Sequence, residues 1–161
     1  MENVIPTYSL FEGSFITAAP VLDRSVNILM FRDPDDKEYN LLINRTLLDE
    51  DQTIDTFCET QIENLRNTLP GFQVEGKLLK NEIGPAKLVV IQLANRYLQD
   101  GKTIRQVQSV MKLPMHNQAN PSGRGVIIFT LHVEDEFTEF QRKHYVQVLN
   151  SFNPEMSVSG R

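Results

Sequence analysis

The 161-residue chain has no tryptophan, one cysteine and no long apolar run. The missing tryptophan decides nothing, but the other shortages exclude whole classes. With Cys58 alone, no intramolecular disulfide can form. No segment approaches the roughly 20 apolar residues that span a bilayer. The N-terminus, Met1 to Thr7, has neither the basic start nor the apolar stretch of a signal peptide. A cytoplasmic protein with no membrane insertion of its own is therefore expected. Basic charge is short as well: 16 Lys and Arg against 21 Asp and Glu leave a net charge of −5. That is the wrong sign for a phosphate-rich partner, so nucleic acid is not expected.

Catalytic and metal patterns are equally scarce. Gly101-Lys102-Thr103 resembles the end of a phosphate-binding loop, but Arg96 stands where the first glycine is required. Asp33, Asp35 and Asp36 lack the glycine and glutamate of a calcium loop and read as a solvated turn. His116, His132 and His144 are too scattered for a metal site. Cys58 falls in an apolar helical stripe, where a buried inert thiol is the ordinary outcome. The acid runs Asp49-Glu50-Asp51 and Glu134-Asp135-Glu136 precede helical patterns, where the macrodipole already favours negative charge. No catalytic residue, metal or cofactor is expected, and the chain is not read as an enzyme.

What the chain does have is alternation. Leu88 to Leu113 reads as two strands joined at Asp100-Gly101, a strong hairpin signal. One face is expected to carry Val89, Ile91, Leu93 and Tyr97 with Val107, Met111 and Leu113. The other is expected to carry Leu88, Val90, Gln92 and Ala94 with Ile104, Gln106, Gln108 and Val110. Ser25–Arg32 and Glu38–Arg45 form a second hairpin around Asp33 to Lys37. Val26, Ile28 and Met30 share one face of its first strand, and Tyr39, Leu41 and Ile43 share a face of its second. Tyr8 to Ala19 alternates imperfectly as a first strand, and Phe72 to Asn81 is a more polar one. A loop is expected over 114–125 and a strand over Gly125–Val133.

Two stretches change period. Thr53 to Leu69 places Ile54, Phe57, Cys58, Gln61, Ile62, Leu65 and Leu69 at helical spacing, with Thr53 as N-cap and Pro70-Gly71 as stop. Asp135 is expected to cap a last helix running to about Asn150. The order implies one α+β domain over 1–161: a mostly antiparallel β-sheet with two helices packed on one face. Its core spans about 8–152, and 153–161 is expected to be a flexible tail.

Gln61, Gln92, Gln106 and Gln108 stand among aliphatic residues of the expected surface. Taken singly, such glutamines face water or bond neighbouring backbone. Taken as a set beside exposed Val, Ile and Leu, they suit a ligand that is mostly apolar yet needs a few polar partners.

The run Asp23-Arg24-Ser25-Val26-Asn27-Ile28, the hairpin Tyr39 to Arg45, the Phe57–Leu69 helix, Arg105-Gln106-Val107-Gln108 and the closing strand and helix resemble the Eag chaperones. These effector-associated proteins of bacterial type VI secretion belong to the DcrB-like group with a Mog1/PsbP-like fold. The resemblance covers about residues 8–152. It implies a homodimer that shields the N-terminal transmembrane segments of PAAR- or Rhs-type effectors before loading on the secretion apparatus. Val26, Ile28, Leu41, Ile43, Gln61, Gln106 and Gln108 are then the expected client-binding residues. Two other classes stay open: a carrier of a small hydrophobic ligand on a PsbP-like scaffold, and a binding module that uses an edge strand.

Overall fold

The computed structural model describes residues 5–117 and 119–154; most of the expected C-terminal tail therefore lies outside the described residues. A seven-stranded antiparallel sheet dominates the fold. Its order is β3 (Asn27–Arg32), β4 (Glu38–Leu47), β9 (Gly125–Glu134), β8 (Lys102–Lys112), β7 (Leu88–Gln99) and β5 (Gln73–Val74), with β6 (Leu79–Ile83) also pairing β7. A separate hairpin, β1 (Thr7–Leu10) and β2 (Gly13–Ile16), precedes it in the chain. The helices are α1 (Ile54–Thr68) and α2 (Glu139–Ser151). The α+β class and the antiparallel sheet are as expected.

The placement of the helices is not. They lie on opposite faces of the sheet. On one face, Tyr145 and Leu149 of α2 pack with Tyr39, Leu41, Val90, Met111, Ile127, Phe129 and Leu131. On the other, Cys58 of α1, with Ile54 and Phe57, packs with Ile91, Val110, Val126 and Ile128. Consecutive strand residues point to opposite faces, so Val90 and Ile91 could not share a cluster. Both faces of β8 and β9 are buried, which explains why these strands read as apolar throughout.

The expected grouping of side chains across the central hairpin is corrected for the same reason. Asp100 (φ 51°) and Gly101 (φ 78°) both adopt left-handed conformation, the signature of a two-residue I′ turn. A two-residue turn pairs Gln99 with Lys102 and hence Ile91 with Val110 and Asn95 with Gln106. Odd-numbered residues of β7 therefore share a face with even-numbered ones of β8. Val89, Ile91 and Leu93 lie with Gln106 and Gln108, while Gln92 lies on the α2 face and donates to Ser109 Oγ at 3.1 Å.

Local chemistry fixes both helices. Thr53 caps α1, its hydroxyl accepting from Thr56 N at 3.1 Å. The N-cap of α2 is Thr138 rather than Asp135, in a capping box with Gln141. Asp135 has a positive φ of 67°, incompatible with the extended backbone of an N-cap. The Tyr145 hydroxyl pins α2 to the sheet by bonding Ser109 Oγ and the Phe129 carbonyl. At the far end of α2, Gly84 (φ 71°) lets the β6–β7 turn meet the helix, since a Cβ there would stand 2.7 Å from the Phe152 carbonyl oxygen. The expected first strand is a hairpin, and the strand expected over Phe72 to Asn81 is split into β5 and β6 around Gly76. The 114–125 loop closes on Asn120. Its Nδ2 donates to the Leu113 and Pro114 carbonyls and its Oδ1 accepts from Gly125 N.

Candidate functional site

α1 covers only part of its face. It runs along β7 and β8, from Cys58 beside Ile91 and Val110 to Pro70, whose carbonyl accepts from Leu98 N at 2.8 Å. The β4 and β3 end of that face carries no helix. There Asn40, Leu42 and Asn44 of β4 are half-buried, and Val26, Ile28 and Met30 before and on β3 are exposed, Ile28 by 65 % and Met30 by 58 %. The result is an open trough with α1 as one wall, β4 as floor and β3 as the apolar lip; the β9 side chains of this face, Val126, Ile128 and Thr130, are buried.

Under the wall the floor turns polar. Asn95, Gln106, Gln108 and Thr130 lie on neighbouring strands of this one face, all at least nine-tenths buried. Gln106 Nε2 donates to Asn95 Oδ1 at 2.9 Å. Among the described residues, Asn95 Nδ2, Gln108 Oε1 and Thr130 Oγ1 find no hydrogen-bond partner. An unsatisfied buried group costs about 1–3 kcal/mol, so three together are an expensive feature to keep. His132 lies beside Gln106 and Asn40 on the same face. Its Nε2 and the Tyr97 hydroxyl stand 2.9 Å apart. Burial lowers the His132 pKa from its ordinary value and raises that of Tyr97.

The fold thus places four of the seven residues expected to bind a client on one face of the sheet. Val26, Ile28, Gln106 and Gln108 share the trough face, and half-buried Gln61 lies on α1, the wall of the trough. Leu41 and Ile43 belong to the α2 side: they pair with Leu29 and Asn27 and pack against or within the α2 cluster. The five-residue loop Asp33–Lys37 pairs Arg32 with Glu38, so even-numbered residues oppose even-numbered ones. Leu42, not Leu41, is the partner of Ile28. The same count would have singled out Asn40 and Leu42; Thr130 and His132 join this face only through the non-local pairing of β9 with β4 and β8.

Redox and metal chemistry find little here. Burial, with Asp55 and Glu59 adding to it, pushes the Cys58 thiol up to about 11, so little reactive thiolate forms at neutral pH. Among the described residues, no group of three or more His, Cys, Asp or Glu side chains is placed to hold a metal. No helix among them is long and apolar enough to cross a membrane.

A seven-stranded antiparallel sheet with one helix on each face defines a small α+β fold. The chain belongs to the DcrB family, whose model matches residues 12–151. Its fold is similar to that of a Pseudomonas aeruginosa protein described as "Protein of Unknown Function PA94" and "Putative Regulator". The TM-score is 0.71 at 18 % identity, covering 95 % of this chain and 99 % of that one. It is also similar to LpqN of Mycobacterium tuberculosis, described as involved in cell envelope biogenesis. There the TM-score is 0.52 at 18 % identity, covering 83 % of this chain and 79 % of that one. No curated protein matches the chain.

Proposed function

We propose that this chain is a non-enzymatic chaperone or adaptor that seats a transmembrane helix of another protein in the trough. The client is the N-terminal transmembrane region of a secreted type VI effector of PAAR or Rhs type, held in the cytoplasm before loading. The chaperone works as a homodimer. The observation that carries the reading is the pairing of an exposed apolar lip with buried amides that lack partners. Such a surface suits an occupant that is mostly apolar but has small polar side chains or exposed carbonyls to offer.

Dimensions support a helix as that occupant. β4 has 10 residues and spans about 34 Å, close to the ~30 Å apolar length of a membrane-spanning helix. In water the client's apolar surface costs about 25 cal/mol per Å²; Val26, Ile28, Met30 and Leu42 would shield it without ATP.

The test is capture of a soluble-tagged effector N-terminal segment by the full chain, compared with lipid and an apolar dye. Retention of the segment, lost in Ile28→Asp, is expected. Dye or lipid binding with no retention of the segment would sink the chaperone reading and favour the small-ligand carrier.

A further inference from the structure

The two edges of the sheet are built differently. At one edge β5 is two residues long, and β6 carries Lys80 and Glu82 on the face where α1 packs. Lys80 also pairs with Asp55 of α1 at 3.4 Å. Short strands and charge are the usual protections of a sheet edge. At the other edge β3 has none of these. Asn27–Arg32 contains no proline and one charge, at its end, and it is exposed on both faces: Ile28 and Met30 on the trough side, Leu29 on the α2 side. A one-sided binding surface explains Ile28 and Met30 but not Leu29.

We propose that the free edge of β3 is a dimer seam, pairing antiparallel with β3 of a second copy about a two-fold axis at Leu29. This inference rests on the homodimer proposed above and specifies how it forms. In that register Leu29 faces its own copy, Ile28 faces Met30, Asn27 faces Phe31 and Arg32 faces Val26. At the centre, Leu29 and the two Ile28–Met30 pairs meet apolar to apolar; towards the ends Asn27 and Arg32 face Phe31 and Val26, and no like charges stand opposite each other. The two troughs then meet along one continuous apolar lip.

The chain before β3 supplies a second contact. The β1–β2 hairpin stands apart from the main sheet, and a lone two-stranded hairpin is marginal in water. It is tied to the start of β3, because the Tyr8 hydroxyl bonds Asp23 and Ser25. Phe11, at its turn, is fully exposed. Antiparallel pairing lays the N-terminal end of one β3 beside the C-terminal end of the other. There a groove of about 420 Å³, lined by Phe31, Tyr39, Phe140 and His144 among others, opens between β3 and α2. A six-residue seam falls short of the ~800 Å² per partner of a stable interface. The partner's hairpin, with Phe11 in this groove, adds the missing area.

Full-length protein carrying Leu29→Cys tests the seam. Directly opposed strand residues have Cα atoms about 4.5–5.5 Å apart, within disulfide range, and Cys58 is buried and slow to react. Mild oxidation should convert most Leu29→Cys protein to a covalent dimer, while Leu79→Cys at the opposite edge stays monomeric. Light scattering should give twice 18.5 kDa for wild type, about 18.5 kDa for a folded Leu29→Lys protein, and at least tenfold weaker dimerisation for Phe11→Ser. A doubled wild-type mass without the Leu29→Cys cross-link, or with Leu79→Cys cross-linking instead, overturns the seam. A monomeric wild type overturns both dimer and seam, whereas failure to retain an effector segment removes the client and leaves the seam standing.

Discussion

One face of the sheet behaves in two ways along its width. Over β7 and β8 it is a closed interior: Ile91, Leu93 and Val110 are buried, with Ile91 and Val110 packed against α1. Over β4 and β3, the same alternation leaves Leu42 half-buried and Ile28 and Met30 in solvent. Residue type does not distinguish the regions, since both are rich in Val, Ile and Leu. Coverage does. A single 15-residue helix shields the strands it packs on and leaves the far strands bare, so apolar residues serve stability on one side and stand in solvent on the other.

Charge insertion gives the largest expected contrast between the two. Ile91→Asp puts an unpaired carboxylate beneath α1, at a cost of several kcal/mol against a total stability of about 5–15 kcal/mol; the protein should fail to fold. Ile28→Asp should melt within a degree or two of wild type, because exposed positions tolerate change within about 0.5 kcal/mol, yet lose its client. Paired thermal melts and co-purification decide this, and equal melts for the two variants would erase the distinction.

Substitutions under the wall should have smaller effects, of opposite sign. Gln108→Leu removes an unpaired buried carbonyl and should stabilise the free protein by about 1 kcal/mol in urea denaturation while weakening client binding. Gln106→Ala strips Asn95 of its partner and should destabilise by about 1–3 kcal/mol, with binding reduced by one or two hydrogen bonds. If Gln108→Leu destabilises the free protein, the carbonyl has a partner and the polar floor has been misjudged.

Cys58→Ala should cost about 1 kcal/mol through the small cavity left beside Ile91 and Val110 and should leave client retention unchanged. The smallest effect is a pH dependence. Burial depresses the folded pKa of His132 below its ordinary 6.5, so the unfolded chain binds more protons as pH drops through about 6.5. Stability should fall over that window and level off below the folded value. In His132→Gln this part of the slope should vanish from denaturation midpoints measured between pH 7.5 and 5.

Much of the fold is legible in the sequence because it depends on short-range signals. Alternation marks β3, β4, β7, β8 and β9, the Asp100-Gly101 turn marks the central hairpin, and Thr53 and Pro70 bound α1. Assignment of side chains to faces depends on how many residues each turn inserts, and neglecting that count misplaced Leu41, Ile43 and Gln92. The Thr138/Gln141 capping box is equally legible, three residues beyond Asp135. Which face each helix takes is set by long-range packing, such as Tyr145 reaching Phe129 and Cys58 reaching Val110, and no local pattern states it. The orphan atoms of Asn95, Gln108 and Thr130 were beyond reach, because satisfaction of a buried amide depends on neighbours brought from three strands.

The loop between β3 and β4 has a consequence for how such proteins can diverge. Asp33 is buried, its Oδ1 accepting from Asp35 N and Lys37 N and its Oδ2 from Gln141 of α2. This fixes the loop at five residues. Insertion or deletion of a single residue would shift the pairing by one and turn every β3 side chain over, carrying Ile28 and Met30 to the α2 side and Leu29 into the trough. Point substitutions can adjust the lip one residue at a time, whereas a one-codon change in loop length replaces the whole surface at once. Lineages that keep the same partner should therefore vary freely at Asp35, keep Gly, Asn or Asp at position 36, where φ is 62°, and hold the length of this loop.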